Sequence, residues 1–466
     1  MTGLLKVNLL YFRRKENPVL SARRNHYFCH TIPTPMTKTF TPTSYRLQSV
    51  ASGKIFDDEG WTLEAPGENG PTLIRAVYEK KQLEPGPEER GFYRFADWLP
   101  VKRMLEGSSA PVTYKSEGLA GRLGLNDLWI TFSGYWPERG AMMMTCSFKE
   151  TEAYSVCGRM DPGSEKVLVV ASAGNTARSF ARVCSDNHIP LLLFVPEDYI
   201  DCLWFDRPLN DSVKLAVSRS GSDYFDSIHL SAIASRVSGF IPEGGAKNVA
   251  RRDGMGTTVL SAVTAMGRIP EFYFQAIGSG TGAIAAWEAN LRLLEDGRFG
   301  KGKMKLIVSQ NYPFVPILHA WKAGSRAMLS MDDEEARSQA EAIIAKVLSN
   351  RRPNYHMAGG LYDAMMDAGG DVMAATNEEA LAAGKLFEET EGIDLHPAAG
   401  VAVATLMKAV KEGLVKKNSS VMLNITGGGE EKFMREKELY YLKPSEVFDI
   451  DPDPQEVADR ITRLFF

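Results

Sequence analysis

One lysine and three small-residue turns hold the side chains of this chain that could do covalent chemistry. Lys149 follows the apolar run AMMMTC and stands just inside a helix expected to begin at Ser147. A lysine amine attacks a carbonyl only after losing its proton, and apolar surroundings lower its pKa toward that state. Core packing accounts for AMMMTC equally well, and a lone lysine at a helix start is usually a solvated surface group.

The three turns each end an apolar run. GSGTGA (278–283) follows EFYFQAI and opens a helix. Gly278, Gly280 and Gly282, with Ser279 and Thr281 between them, let backbone N–H groups close around an anion where the helix dipole favours negative charge. The same letters satisfy a dinucleotide fingerprint, but that reading needs an acid at the end of the next strand. KMKLIVSQN ends instead in Ser309, Gln310 and Asn311, so a nicotinamide-dependent oxidoreductase lacks its ribose-binding carboxylate. ASAGNT (171–176) offers Ser172, Asn175 and Thr176 to a carboxylate or phenolic oxygen, although Ser and Asn also cap helices routinely. ITGGG places Thr426 before glycines that would admit a flat ligand, or that simply form a turn. A basic stretch, GGAKNVARRDGMGT, adds Lys247, Arg251 and Arg252 as hosts for oxyanions, against the ordinary reading of a solvated cluster.

Positioning these residues calls for strands that stop where the turns begin. The apolar runs DLWITF, KVLVVA, PLLLFVP, SVKLAVS, EFYFQAI, KMKLIVSQN and SVMLNI alternate with helical patterns such as TARSFARVCSDN, GAIAAWEANLRLL, EEARSQAEAIIAKVLS and AAGVAVATLMKAV. Continuous apolar strands alternating with helices predict an α/β fold of parallel sheets covered on both faces. Ligands in such folds sit beyond the carboxyl ends of the strands. The expected organisation is an atypical extension over residues 1–42, basic and then Thr/Pro-rich, followed by a large domain over 43–154 and 266–450. A small α/β domain over 155–265 and a tail helix over 451–466 complete it.

Composition limits the alternatives. Hydrophobic residues make up 44%, charged residues 24%, and the formal net charge is −4, which argues against a nucleic-acid partner. No apolar run is long enough for a membrane span, and the irregular cysteine spacing fits a cytoplasmic protein. Five scattered cysteines without a CxxC pair, and histidines without ligand spacing, predict reduced thiols and no metal.

In order along the chain, SFK, SxGNT, a glycine-rich GSGTG and a strand-end Thr before glycines resemble the fold type II pyridoxal-phosphate (PLP) enzymes, the tryptophan synthase β type. That fold is two open parallel-sheet α/β domains with the active site between them. The residues are similar to those of the threonine synthase branch, through FADWLPV, APVTYKSEGLA, FSGYWPERGAMMMTCSFKETEA, VVASAGNTARSFA, PEGGAKNVARRDGMGT and LNITGGG, over roughly residues 78–429. The resemblance implies that Lys149 holds the cofactor as a Schiff base. It implies Asn175 against the 3′ oxygen, Gly278 to Gly282 around the phosphate and Thr426 facing the ring nitrogen. Ser172 and Thr176 would hold the substrate carboxylate, and Lys247, Arg251 and Arg252 its anions. The implied reaction replaces the phosphate of O-phospho-L-serine with sulfite; the rival is a threonine synthase using O-phosphohomoserine. A homo-oligomer is implied by the same likeness.

Overall fold

The computed structural model describes residues 40–466 apart from 173, 220, 222 and 223. The expectation of an atypical extension over residues 1–42 falls almost wholly outside the described residues.

All seven apolar runs form strands, because each is a short apolar stretch bounded by turn residues. The larger sheet has the order Asp371–Ala375, Lys305–Asn311, Phe272–Ala276, Val421–Ile425, Leu128–Phe132 and Val112–Lys115. Its pairings are parallel except the last, where Val112–Lys115 runs antiparallel at the edge. The smaller sheet, in the order Phe240–Pro242, Val167–Ala171, Leu191–Pro196, Val213–Ser218 and Glu446–Phe448, is parallel throughout. Tyr45–Ser49 and Ile74–Tyr78 pair antiparallel in a separate small sheet near the start of the described chain. Ile130, Leu423, Phe274 and Leu306 are fully buried in the larger sheet, and Leu193 and Leu215 in the smaller.

Three expectations need correction. The helix Val249–Met266 was expected in the small domain, yet Val259, Leu260 and Val263 pack with Tyr273 and Leu306 of the larger sheet. The stretch to residue 450 was expected in the large domain, yet Glu446–Phe448 pairs with Val213–Ser218 and closes the edge of the smaller sheet. The tail helix forms as expected, over Pro454–Phe465, and buries Val457 and Ile461 beside Leu230 and Ile233 of that same half. The helix expected over EEARSQAEAIIAKVLS stops at Ala342. There the backbone N–H groups of Ile344 and Ala345 donate to the side-chain oxygens of Asn377 (3.0 Å) and Asn311 (3.1 Å), so tertiary partners replace the next helical turn.

Candidate active site

The site is assembled at the carboxyl ends of strands, beginning with the segment before Lys149. Phe148 N–H donates to the carbonyl of Thr426 at 3.0 Å, and Gly428 N–H donates to the carbonyl of Cys146 at 3.2 Å. This short ladder fixes the lysine segment to the glycine run. It also holds Cys146 at φ 54, a left-handed conformation that costs a non-glycine residue about 1–2 kcal/mol. The helix Lys149–Arg159 starts at the lysine itself, whose N–H donates to the Ser147 hydroxyl at 3.3 Å. Phe148 packs with Ala285, one turn into the helix that follows GSG, and so joins the lysine segment to that glycine turn.

Lys149 Nζ is partly buried and donates to Glu152 Oε2 at 3.1 Å. Burial lowers its pKa and the Arg251 charge adds to this, while Glu152 opposes them. Glu152 is fully buried. Its other oxygen accepts from Thr176 Oγ1 at 3.0 Å and from Arg251 Nη2 at 3.0 Å. Arg251 in turn meets Glu243 at 2.6 Å, whose pKa burial raises despite that guanidinium. One carboxylate therefore gathers Lys149, Thr176 and Arg251. Sequence reasoning missed it, because a Glu three residues after a Lys is the usual mark of a solvated helical pair.

The second wall is the loop after Val167–Ala171. Ser172 is buried, and its N–H donates to the carbonyl of Phe194 at 3.1 Å. Asn175 begins the helix Asn175–Asp186, and its Oδ1 accepts from Arg178 at 2.9 Å. The Thr176 hydroxyl is committed to Glu152, so any substrate group this residue meets must be held by its backbone N–H.

The third wall is the anion cup. Among the described residues no acceptor meets the backbone N–H groups of Gly278, Ser279, Gly280 and Gly282, which lead into the helix Thr281–Asp296. Gly280 has φ 78, and a Cβ there would lie 2.8 Å from Leu361 Cδ2; one on Gly282 would lie 2.5 Å from Gln275 Nε2. The Ser279 and Thr281 hydroxyls lie 2.9 Å apart across the turn. A row of unpaired amides at the start of a long helix is suited to a phosphate.

Thr426 closes the site. It is buried, and its hydroxyl makes no hydrogen bond to the described residues. A Cβ on Gly427 would lie 3.0 Å from the Cys146 carbonyl and 3.2 Å from His396 Cβ, so a side chain there would have to push its neighbours aside. His396, another residue the sequence reading missed, accepts from Ala398 N–H through Nδ1 at 3.2 Å. Burial, with the Arg178 charge, pushes its pKa down to about 4, which leaves a neutral ring with its proton on Nε2.

The structure does not bring the whole basic cluster together. Arg252 is fully buried: Nε pairs with Glu288 at 2.9 Å and the terminal nitrogens donate to the carbonyls of Ala246 and Ile74. With its donors committed to the protein, it is a packing lock and not an anion host. Lys247 is half-exposed and pairs with Glu64, with no contact to Glu152. Only Arg251 belongs to the site.

A partly buried lysine, an amide-lined turn, a strand-end hydroxyl and two largely parallel sheets define a class of lysine-anchored cofactor enzymes. Residues 114–427 match the family described as pyridoxal-phosphate dependent enzyme. The cysteate synthase of Methanocella paludicola is 50% identical over 81% of this chain and 88% of its own length. That of Methanosarcina acetivorans is 46% identical over 83% and 92%. Solved structures share the fold at low identity. Maize serine racemase has TM-score 0.52 at 14% identity, covering 70% of this chain and 91% of that one. Threonine deaminase isoform 2 of Solanum lycopersicum has TM-score 0.53 at 17%, covering 81% and 98%. The chain belongs to the pyridoxal-phosphate dependent enzymes, on the branch of the cysteate synthases. The residues present fit that cofactor: unpaired amides for its phosphate, an unpaired hydroxyl at Thr426 and a desolvated lysine amine. Among the described residues no helix is long and apolar enough to cross a membrane.

Proposed function

We propose that this chain replaces the β-phosphate of O-phospho-L-serine with sulfite, releasing L-cysteate and phosphate on the way to coenzyme M. The observation that carries this reading is the partly desolvated Lys149 amine, 3.1 Å from a buried carboxylate and joined by backbone to Thr426. When bound, the cofactor supplies an electron sink for the α-carbon of the substrate. Lys149 anchors it and, once displaced, takes the α-proton and later returns it; burial, which lowers its pKa, favours the free amine this requires. Glu152 stabilises the charge that Lys149 gains on taking that proton. Asn175 meets the 3′ oxygen, and Gly278, Ser279, Gly280, Thr281 and Gly282 bind the phosphate.

Thr426 faces the ring nitrogen. A neutral hydroxyl does not hold that nitrogen protonated as a carboxylate would, which suits elimination and replacement. The loop carrying Ser172 and Thr176 receives the substrate carboxylate through backbone N–H groups. Arg251 exchanges one of its carboxylate partners for the departing phosphate or the incoming sulfite. Self-association and a cytoplasmic site of action belong to the same proposal.

The test begins with the purified full chain. It should be yellow, and borohydride should fix pyridoxal phosphate to the peptide containing Lys149. O-phosphoserine and O-phosphohomoserine are then supplied with and without sulfite while phosphate and cysteate are followed. Cysteate and equimolar phosphate from phosphoserine with sulfite are expected. Phosphate release from O-phosphohomoserine in water, without cysteate from phosphoserine, would make the chain a threonine synthase instead.

A further inference from the structure

We infer that Arg178 is a positioning residue: it fixes the amide of Asn175 so that the Nδ2 donor faces the 3′ oxygen of the cofactor. This rests on the assignment of Asn175 under the proposed function. The two ends of an asparagine amide are close to equal in shape, and what lies behind them decides which end faces a ligand. Here Arg178 Nη2 lies 2.9 Å from Asn175 Oδ1. A guanidinium donates and never accepts, so only the oxygen can face it. The Nδ2 group is left as the end presented to a ligand. A phenolate oxygen needs a donor, and a flipped amide would offer it a repelling carbonyl.

The arginine is itself immobilised. It is 3% exposed, and its Cζ lies 3.7 Å from the centre of the Trp204 ring. Nη1 donates to the carbonyl of Cys202 at 3.1 Å, and Nη2 also donates to the carbonyl of Thr145 at 3.0 Å. Glu430 Oε2 lies 3.6 Å away. Thr145 stands four residues before Lys149, and Glu430 directly follows the glycine run after Thr426. One planar fork therefore references the Asn175 amide to the lysine segment and to the ring-nitrogen segment. A lysine at this position keeps the charge but loses the fork.

The experiment uses the full-length holoenzyme and a cycle of Arg178→Lys, Asn175→Ala and the double variant. The readouts, taken without substrate, are the absorption spectrum of bound pyridoxal phosphate and its dissociation constant. Both single variants should shift the visible band and weaken cofactor binding roughly tenfold, the scale of one charge-assisted hydrogen bond. In the Asn175→Ala background, Arg178→Lys should add less than about twofold. With 3-deoxypyridoxal phosphate, which lacks the oxygen, neither substitution should matter. An Arg178→Lys effect of equal size in the Asn175→Ala background, or with the deoxy analogue, would reduce Arg178 to a structural part and overturn the inference.

If Arg178→Lys does not fold, Arg178→Gln enters the same cycle. Asn175→Ala alone is decisive in one direction, since an unchanged spectrum and affinity there overturns the inference without any Arg178 variant. Failure of the wild-type chain to link pyridoxal phosphate at Lys149 would instead remove the functional proposal beneath it.

Discussion

The two halves of the candidate site are built by different physics. On the side of the larger sheet, the turn 278–282 and the run after Thr426 work through shape: glycines, unpaired amides and neutral hydroxyls, with no charged side chain from either turn. On the side of the helix bearing Lys149, charge dominates, with Glu152, Arg251 and Glu243 linked in a buried chain around the amine. The phosphate end of a cofactor carries its own charge and needs donors at fixed places. The lysine end changes its charge during turnover and needs compensating groups that stay put. The contrast teaches where each kind of substitution will be felt.

The largest effect is expected on the charged side. Glu152→Gln leaves Lys149 and Arg251 without their shared buried carboxylate and should cost about 3 kcal/mol in stability, measured by denaturant unfolding of the full chain. It should also lower the pKa of Lys149 further, since Glu152 now opposes the effect of burial. An unchanged unfolding midpoint would mean the nest is solvated and the contrast is false. On the shape side, Gly280→Ala places a side chain at φ 78 and pushes on Leu361. About 1–2 kcal/mol of strain is expected, together with weaker binding of pyridoxal phosphate but not of pyridoxal, which has no phosphate to seat. Equal losses for both ligands would show that the turn supports the fold and not the cup.

The effect of His396 is absent at neutral pH and shows only in acid. Its folded pKa, about 4, lies below its ordinary value of 6.5, so the unfolded state binds the extra proton between those limits. The stability contributed is full above about pH 6.5 and falls as the pH drops toward 4. His396→Asn should flatten that slope in unfolding measurements; an unaltered slope assigns it to other groups.

These differences also explain what was legible in the sequence. Glycine turns and apolar strands announce themselves, because backbone geometry restricts which residues can stand there; GSGTG, SAGNT and ITGGG therefore pointed to the strand ends that form the site. Lys149 was legible only through its order with them. Glu152, Arg178 and His396 were not, because a Glu or Arg on a helix reads as solvated until the packing around it is known. Arg252 failed for the converse reason: beside Arg251 in sequence, it projects from a different face of the helix and is consumed by Glu288 and two carbonyls. Helix Val249–Met266 was assigned to the wrong half since periodicity reveals an apolar face but not which sheet it covers. The short strand Glu446–Phe448 carries too few residues for any periodic signal.

That strand has a consequence for how the protein is made. Val213–Ser218, an apolar run with most of its side chains buried, is paired on one side by Leu191–Pro196 and on the other only by Glu446–Phe448. During synthesis its outer edge is exported from the ribosome more than two hundred residues before its cover exists. Throughout that interval an unpaired parallel edge faces solvent, the kind of surface that recruits other nascent chains. A product stalled or clipped before residue 446 would keep Lys149 but leave that margin uncovered.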